Sequence, residues 1–178
     1  MTTKQHPSGW GAPRVSVGIA SIGIYMPRWV ETAEAIAAKS GIPEPVVREK
    51  MGLRKKHVAG PEEHLSDMGV RAARDALAGS DPLGLDVVVF HGSEYKDYIV
   101  WSAASRIQYL LGARRAFAFE IYGMCVGGLV AMKVVADMMA SDPAIRRALL
   151  VTASREADLV SYRNPRARFM YNFGAGGA

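Results

Sequence analysis

Cys125 is the sole cysteine in the chain. It follows an apolar run of strand character, Ala116 to Met124 (AFAFEIYGM), and immediately precedes a helical run, VGGLVAMKVVADMM. Its sulfur is therefore expected at a helix N-terminus. There the unpaired backbone N–H groups and the helix dipole favour the thiolate, which is the nucleophilic form, and can hold an oxyanion. Strand, tight turn and helix in succession are the layout of an exposed nucleophile. A lone cysteine in an apolar stretch also reads as a small core residue, and the residues alone leave both readings open. A single thiol supplies neither an internal disulfide nor the clustered thiolates of a structural zinc or iron–sulfur site, so no metal is expected and the setting read from it is cytoplasmic.

The elements around this turn can be read from periodicity. VSVGIASIGIY, Val15 to Tyr25, is β-branched and predicts a strand in the interior of a sheet, closing at Pro27. Thr32 is a candidate N-cap for the helix TAEAIAAKS, which stops at Gly41, and a second short helix opens at Pro43 or Pro45 and runs through Lys50 to Gly52. After the basic turn Arg54-Lys55-Lys56-His57, a helix is predicted from about His64 to Ala78 with Leu65, Met68, Ala72 and Ala76 on one face. The run Asp86 to Phe90 reads as a parallel strand covered on both faces. Ser102 to Leu111 reads as a helix and Ala116 to Ile121 as a strand. Val126 to Ala140 reads as a buried helix whose Gly127, Gly128 and Ala131 allow close packing. Arg147 to Ala153 and Phe169 to Phe173 read as further strands. Alternating strands and helices predict a layered α/β fold with right-handed crossovers.

The chain has 178 residues, 49% of them hydrophobic and 22% charged. That is long enough for one well-cored domain and unlike a disordered chain. Met1 to Gly11 is polar with no apolar core, so residues 1–14 are read as a flexible leader and 15–178 as the domain. No stretch is expected to approach a membrane span. A net charge of +5 gives no case for nucleic acid. The glycine-rich FGAGGA at Phe173 to Ala178 usually lies between elements, so further polypeptide is expected beyond it.

Cys125 and its surroundings resemble the nucleophile region of thiolase-fold condensing enzymes, specifically beta-ketoacyl-acyl-carrier-protein synthase III. Other segments match in order. Gly18 to Pro27 is similar to that family's first strand and G-x-G-x-Y-x-P turn, and Lys50 to His57 resembles its R-T-G-I-x-x-R-H element. Leu65 to Met68 resembles S-D-L-A, Gln108 to Ala113 resembles Q-x-x-L-G-A, and Phe173 to Ala178 resembles F-G-D-G-A-G-A. The resemblance implies the N-terminal half of a layered α-β-α-β-α fold. It implies that Cys125 carries an acyl group and receives a carbanion in a Claisen condensation, as a 3-oxoacyl-acyl-carrier-protein synthase III does. Substrates would be acyl-CoA and acyl carrier protein thioesters, with no cofactor of the enzyme's own, and the assembly a homodimer. The family's catalytic His and Asn belong to its second half. None of His6, His57, His64 and His91 matches that His, which leaves open a non-catalytic half-subunit needing a partner chain.

The loop His91 to Tyr98 departs from the family's A-T-x-T-P-D. Glu94 falls where 3-hydroxy-3-methylglutaryl-CoA synthases and head-to-head condensing enzymes present a catalytic glutamate, which would take a proton from a non-decarboxylating donor. The bland alternative is a solvated glutamate paired with Lys96. The adenine-stacking Trp of the family falls at about Val46. Lys50 stands at the family's Arg position, so Lys50 and Arg54 are the residues implied for coenzyme A phosphates, within a basic run that includes Arg48, Lys55 and Lys56. Arg163, Arg166 and Arg168 form a second basic cluster, read as a surface loop. Glu120 replaces the family's Asp and Ala175 its second Asp.

Overall fold

Four consecutive apolar residues in a strand place side chains on both of its faces, so the run 87–90 is satisfied only between two covering layers. The computed structural model describes residues 16–93 and 95–178 and shows that arrangement. In chain order the elements are β1 (Trp29–Thr32), α1 (Ala33–Ser40), β2 (Lys55–Val58), α2 (Leu65–Leu77), β3 (Val87–Gly92), α3 (Ala103–Leu111), β4 (Phe117–Tyr122), α4 (Gly127–Ser141), β5 (Ala148–Val151), β6 (Ala153–Ser154) and β7 (Gly176–Gly177). Strands β4, β3 and β5 form a parallel sheet in that order, with Val87 opposite Phe117 on one side and Ala148 on the other. Val88 and Phe90 face α2 and α3, in a core with Met68, Ala104 and Ile107. Val87 and Val89 face α4 through Ala131 and Val135. A smaller core joins α1 to the segments around it through Ile36, Val47, Leu53 and Tyr171.

Several helix boundaries fall where the sequence predicts them. Thr32 caps α1, its hydroxyl accepting from the Ala35 N–H at 3.3 Å. Gly41 ends the same helix in the left-handed region, at φ +71°. Ser102 caps α3 as Thr32 caps α1. The segment after Pro45 is a short π-type turn, Val46–Lys50, that turns Val47 into the small core.

Three expectations fail. The predicted interior strand is not formed: residues 16–24 join no ladder, and Tyr25 alone makes an antiparallel bridge to Gly177. Ile19 and Ile22 stand 69% and 73% exposed. A strand needs a partner of its own length, and the partner here, β7, has two residues. The segment instead runs over α2, where the Ile24 N–H donates to Asp75 at 2.9 Å. A Cβ on Gly23 would collide with the backbone of Ala72 and Ala76, so only glycine allows that approach. Second, Phe169 to Phe173 is not a strand: Pro165–Met170 forms a 3₁₀ turn led by Asn164, whose side chain accepts from the Arg166 N–H. Third, α4 is not buried all round. Gly127, Ala131 and Val135 face the sheet, while Leu129 is 70% exposed. The stretch Met124–Ser141 is also long and apolar enough to cross a membrane by length and composition, against expectation, with 17% of it buried. Small residues give α4 its seat on β3, and its bulkier side chains lie on the other faces. The residues assigned to the leader, with Val15, lie outside the described residues.

Candidate active site

Strand β4 delivers the chain to Gly123, and a 3₁₀ turn over Met124–Val126 carries Cys125 before α4 begins at Gly127. The thiol is exposed, which decides against the core reading left open above. Met124, directly before it, sits at φ +50°. A non-glycine residue in that region costs of order 1–2 kcal/mol, and such strain is typical of turns that present a reacting group. The turn is tied to the sheet by the Gly123 N–H donating to the Gly92 carbonyl at 3.4 Å and closed by the Val126 N–H donating to Gly123 at 3.1 Å. No side chain caps α4, so its first-turn N–H groups are not taken by a capping residue. Glycines at 127 and 128 let the sheet come close: a Cβ on Gly128 would lie 3.1 Å from Cε1 of His91. His91 is thus a packing residue at the seat of α4. Burial pushes its pKa below the ordinary imidazole value, which keeps it neutral at pH 7.

The loop after β3 faces this turn through a network that motif reading missed. Glu94 itself lies outside the described residues; its neighbours are held from three sides. Ser93 donates to Glu156, which also accepts from Ser154, and Tyr95 donates to Asp158 at 3.3 Å. The Asp97 carboxylate accepts from the N–H groups of Leu65 and Ser66, at 2.6 and 3.2 Å, and so caps α2. Lys96 Nζ donates to the Trp101 carbonyl at 2.6 Å, to Glu120 at 3.2 Å and to the Tyr122 hydroxyl. Glu120 further accepts from Tyr122 and from the Ala104 N–H at the start of α3. Burial pushes the Glu120 carboxyl up, but hydrogen bonds from Tyr122, Ala104 and Lys96 outweigh it and hold its pKa low. Burial likewise pushes Lys96 down, but its bonds to Tyr122 and Glu120 raise it. Both are therefore charged at neutral pH. A carboxylate inside an apolar strand needs a cation, and that was the signal available in the sequence for Glu120.

The basic run divides in a way its sequence does not announce. Arg48 pairs with Glu34 and Glu44. Lys56 is buried, 6% exposed, donating to the Phe173 carbonyl at 2.8 Å and lying 3.4 Å from Glu31, which is also bonded by Lys39 and Tyr162. Lys50, Arg54 and Lys55 remain on the surface. They sit beside the small core that Val47 and Leu53 share with Tyr171. Arg163, Arg166 and Arg168 are exposed on the segment leading to that same Tyr171, so the two basic clusters flank one core. Val46 leaves no flat aromatic there. The structure does not gather Lys50 and Arg54 into the Cys125 network: Arg54 adjoins the antiparallel β1–β2 pair, which shares no ladder with the sheet carrying Cys125. Among the described residues no group of His, Cys, Asp and Glu is arranged to hold a metal.

Residues 119–178, which include Cys125, match the family model for 3-oxoacyl-[acyl-carrier-protein (ACP)] synthase III. The beta-ketoacyl-[acyl-carrier-protein] synthase III of Methylococcus capsulatus is 31% identical over 160 residues, covering 89% of this chain and 49% of that protein. Among solved structures, the synthase III of Thermus thermophilus superposes with a TM-score of 0.79 at 23% identity, covering 90% of this chain and 49% of that one. The priming beta-ketosynthase of the R1128 polyketide pathway does so with a TM-score of 0.78 at 27% identity, covering 93% and 52%. The fold these comparisons define is the thiolase-like layered α/β fold, of which the chain spans one half. Within it, the chain is similar to beta-ketoacyl-acyl-carrier-protein synthase III. It spans about half the length of the relatives it matches.

Proposed function

We propose that this chain is the N-terminal, acyl-carrying half of a condensing acyltransferase of the 3-oxoacyl-acyl-carrier-protein synthase III type. The observation that carries this reading is the exposed Cys125 on a strained turn at the uncapped start of α4. In the reaction the Cys125 thiolate attacks the carbonyl of an acyl thioester, and the carrier thiol leaves. A second thioester then loses CO2, or a proton, from its α-carbon, and the carbanion left there attacks the acyl-cysteine carbonyl. The carbon–sulfur bond to Cys125 breaks, the thiolate is regenerated, and a 3-oxoacyl thioester departs. Splitting the transfer in two is the benefit of a covalent nucleophile. The second half of the site, with groups that stabilise the donor's enolate, comes from sequence outside these 178 residues, in the same polypeptide or a partner chain. No cofactor takes part beyond the thioester substrates, acyl-CoA and acyl carrier protein, and the reaction is cytoplasmic. The exposed Lys50 and Arg54, with Arg163, Arg166 and Arg168 across the same core, meet the carrier's phosphates or acidic surface.

Glu94 is the candidate base for a donor whose α-carbon carries a proton and no carboxyl group. It follows β3 in the loop tied to the Cys125 strand, and it takes a proton from the donor's α-carbon when the donor does not decarboxylate. That role favours a second form of the reaction, the non-decarboxylating condensation of the hydroxymethylglutaryl-CoA synthase or head-to-head type. A homodimer forms through the free edge of β4, which ends the sheet and leaves its ladder groups open, together with the fully exposed Ile99 and Val100. The test is intact mass of the protein, as its gene encodes it, before and after a panel of acyl-CoAs. An acyl adduct that disappears in Cys125→Ala is the expected result, and an adduct that persists there overturns the assignment. Turnover that needs a malonyl donor supports the decarboxylating form; turnover with acetyl-CoA or a second acyl-CoA, lost in Glu94→Gln while acylation continues, supports the other.

A further inference from the structure

We infer that His91 is a positioning residue, whose imidazole ring spaces the first turn of α4 from the sheet and so sets where the Cys125 turn stands. The inference rests on the reading of Cys125 as the acyl carrier, but the contact it uses does not. Side chains alternate along β3, so Val87, Val89 and His91 share the face that α4 covers. The two valines pack with Ala131 and Val135, one and two turns into the helix. His91 meets Gly127 and Gly128, where the helix starts. It is the widest side chain of that row, and it lies under the turn of α4 nearest the thiol.

The clearance shows how close the seat is. A Cβ on Gly128 would lie 3.1 Å from Cε1 of the ring and 3.6 Å from each ring nitrogen, and one on Gly127 would lie 3.6 Å from the Gly92 nitrogen and 3.8 Å from the His91 Cβ. A methyl at 128 would therefore press on the ring, whereas one at 127 would meet ordinary contacts. Cys125 stands three residues before Gly128, within one helical turn, so a shift of that turn is passed directly to the thiol. The other end of the Cys125 turn is fixed to the residue after His91, by the Gly123 N–H donating to the Gly92 carbonyl at 3.4 Å. One end is thus held by the β3 backbone and the other by the ring. Burial is the one cause that lowers the imidazole pKa, with no charge or hydrogen bond contributing, so the ring acts through its bulk. A smaller side chain at 91 would let α4 settle toward the sheet, and a larger one at 128 would push it away.

The test follows two rates in the protein as its gene encodes it, acylation of Cys125 by acyl-CoA and its alkylation by iodoacetamide, beside the urea midpoint. Gly128→Ala should slow acylation about 10- to 100-fold, the penalty of a reacting group displaced by up to about an ångström. The urea midpoint should hold, since alanine is the better helix former, and a merely structural contact would lower it instead. His91→Ala should slow acylation by a similar factor, and His91→Phe, which keeps a flat ring, should recover most of the rate. Joining His91→Ala to Gly128→Ala should give a faster protein than Gly128→Ala alone, because the added methyl then has room. A Gly128→Ala protein that acylates at the parental rate, or a His91→Phe protein as slow as His91→Ala, overturns the inference. Should His91→Ala fail to fold, His91→Val takes its place in both comparisons. A parent that gives no acyl adduct overturns the acyl-carrier reading, whereas the same order of rates in alkylation still supports the spacer.

Discussion

Replacing Ala131 by Leu should destabilise the chain and slow acylation of Cys125 together. Ala131 is fully buried and packs among Val87, Val89 and Val135, at the point where α4 rests on the central strand. Leu adds three carbon atoms to a site already closed by branched side chains on a sheet strand flanked on both sides. Overpacking of that kind costs about 1–3 kcal/mol. At about 2 kcal/mol the folding equilibrium falls roughly 30-fold, and the urea midpoint drops by about 1 M for a typical slope. The relief available to the helix is to lift from β3. Since α4 begins at Gly127, only two residues after Cys125, that movement reaches the Cys125 turn. Urea unfolding and the rate of the acyl-mass shift are the assays. Leu129→Ala is the control, on the same helix but 70% exposed. It should change stability by about 0.5 kcal/mol at most, as surface substitutions do. If Ala131→Leu is as stable as the parent, or Leu129→Ala costs as much, the assigned seat of α4 is wrong.

Stability should fall as pH drops through about 6.5, the ordinary imidazole value, because the unfolded chain takes up a proton that buried His91 resists, and should level off below the lowered folded value. Thermal midpoints at about pH 7.5 and 5.5, either side of that value, measure this, and His91→Phe should shrink the difference. Lys56→Met should cost about 1–3 kcal/mol in urea unfolding, because Glu31 keeps Lys39 and Tyr162 but the Phe173 carbonyl loses its donor. A cost no greater than that of Lys55→Met would refute its buried role. The double charge reversal Lys50→Glu with Arg54→Glu should raise KM for acyl-CoA several-fold with a weaker salt dependence and little change in kcat; an unchanged KM would remove these residues from the carrier surface.

How much of this was legible beforehand depends on the range of the interactions involved. Elements set by their own residues were readable: the capped helices α1 and α3, the doubly covered run 87–90, and the strand-to-helix turn holding Cys125. Each rests on local periodicity, on a capping side chain within a few residues, or on a steric rule of the backbone. The first segment failed for the opposite reason. Residues 16–24 have every strand preference, but a strand is made by its ladder, and their partner β7 lies at the far end of the chain and offers two positions. Preference alone cannot close hydrogen bonds that no neighbour supplies.

Charged side chains divide along the same line. That Cys125 could be a nucleophile follows from its place between two elements, so this candidate and the α/β frame around it were already written in the order of residues. That order could not tell that Lys56 turns inward while Lys55 stays outside, or that Lys96 in its loop reaches Glu120 on β4. Those choices belong to the folded chain. A buried charge must find its partners in three dimensions, and the fold brings together residues 24 apart at Lys96 and Glu120 and 117 apart at Lys56 and the Phe173 carbonyl.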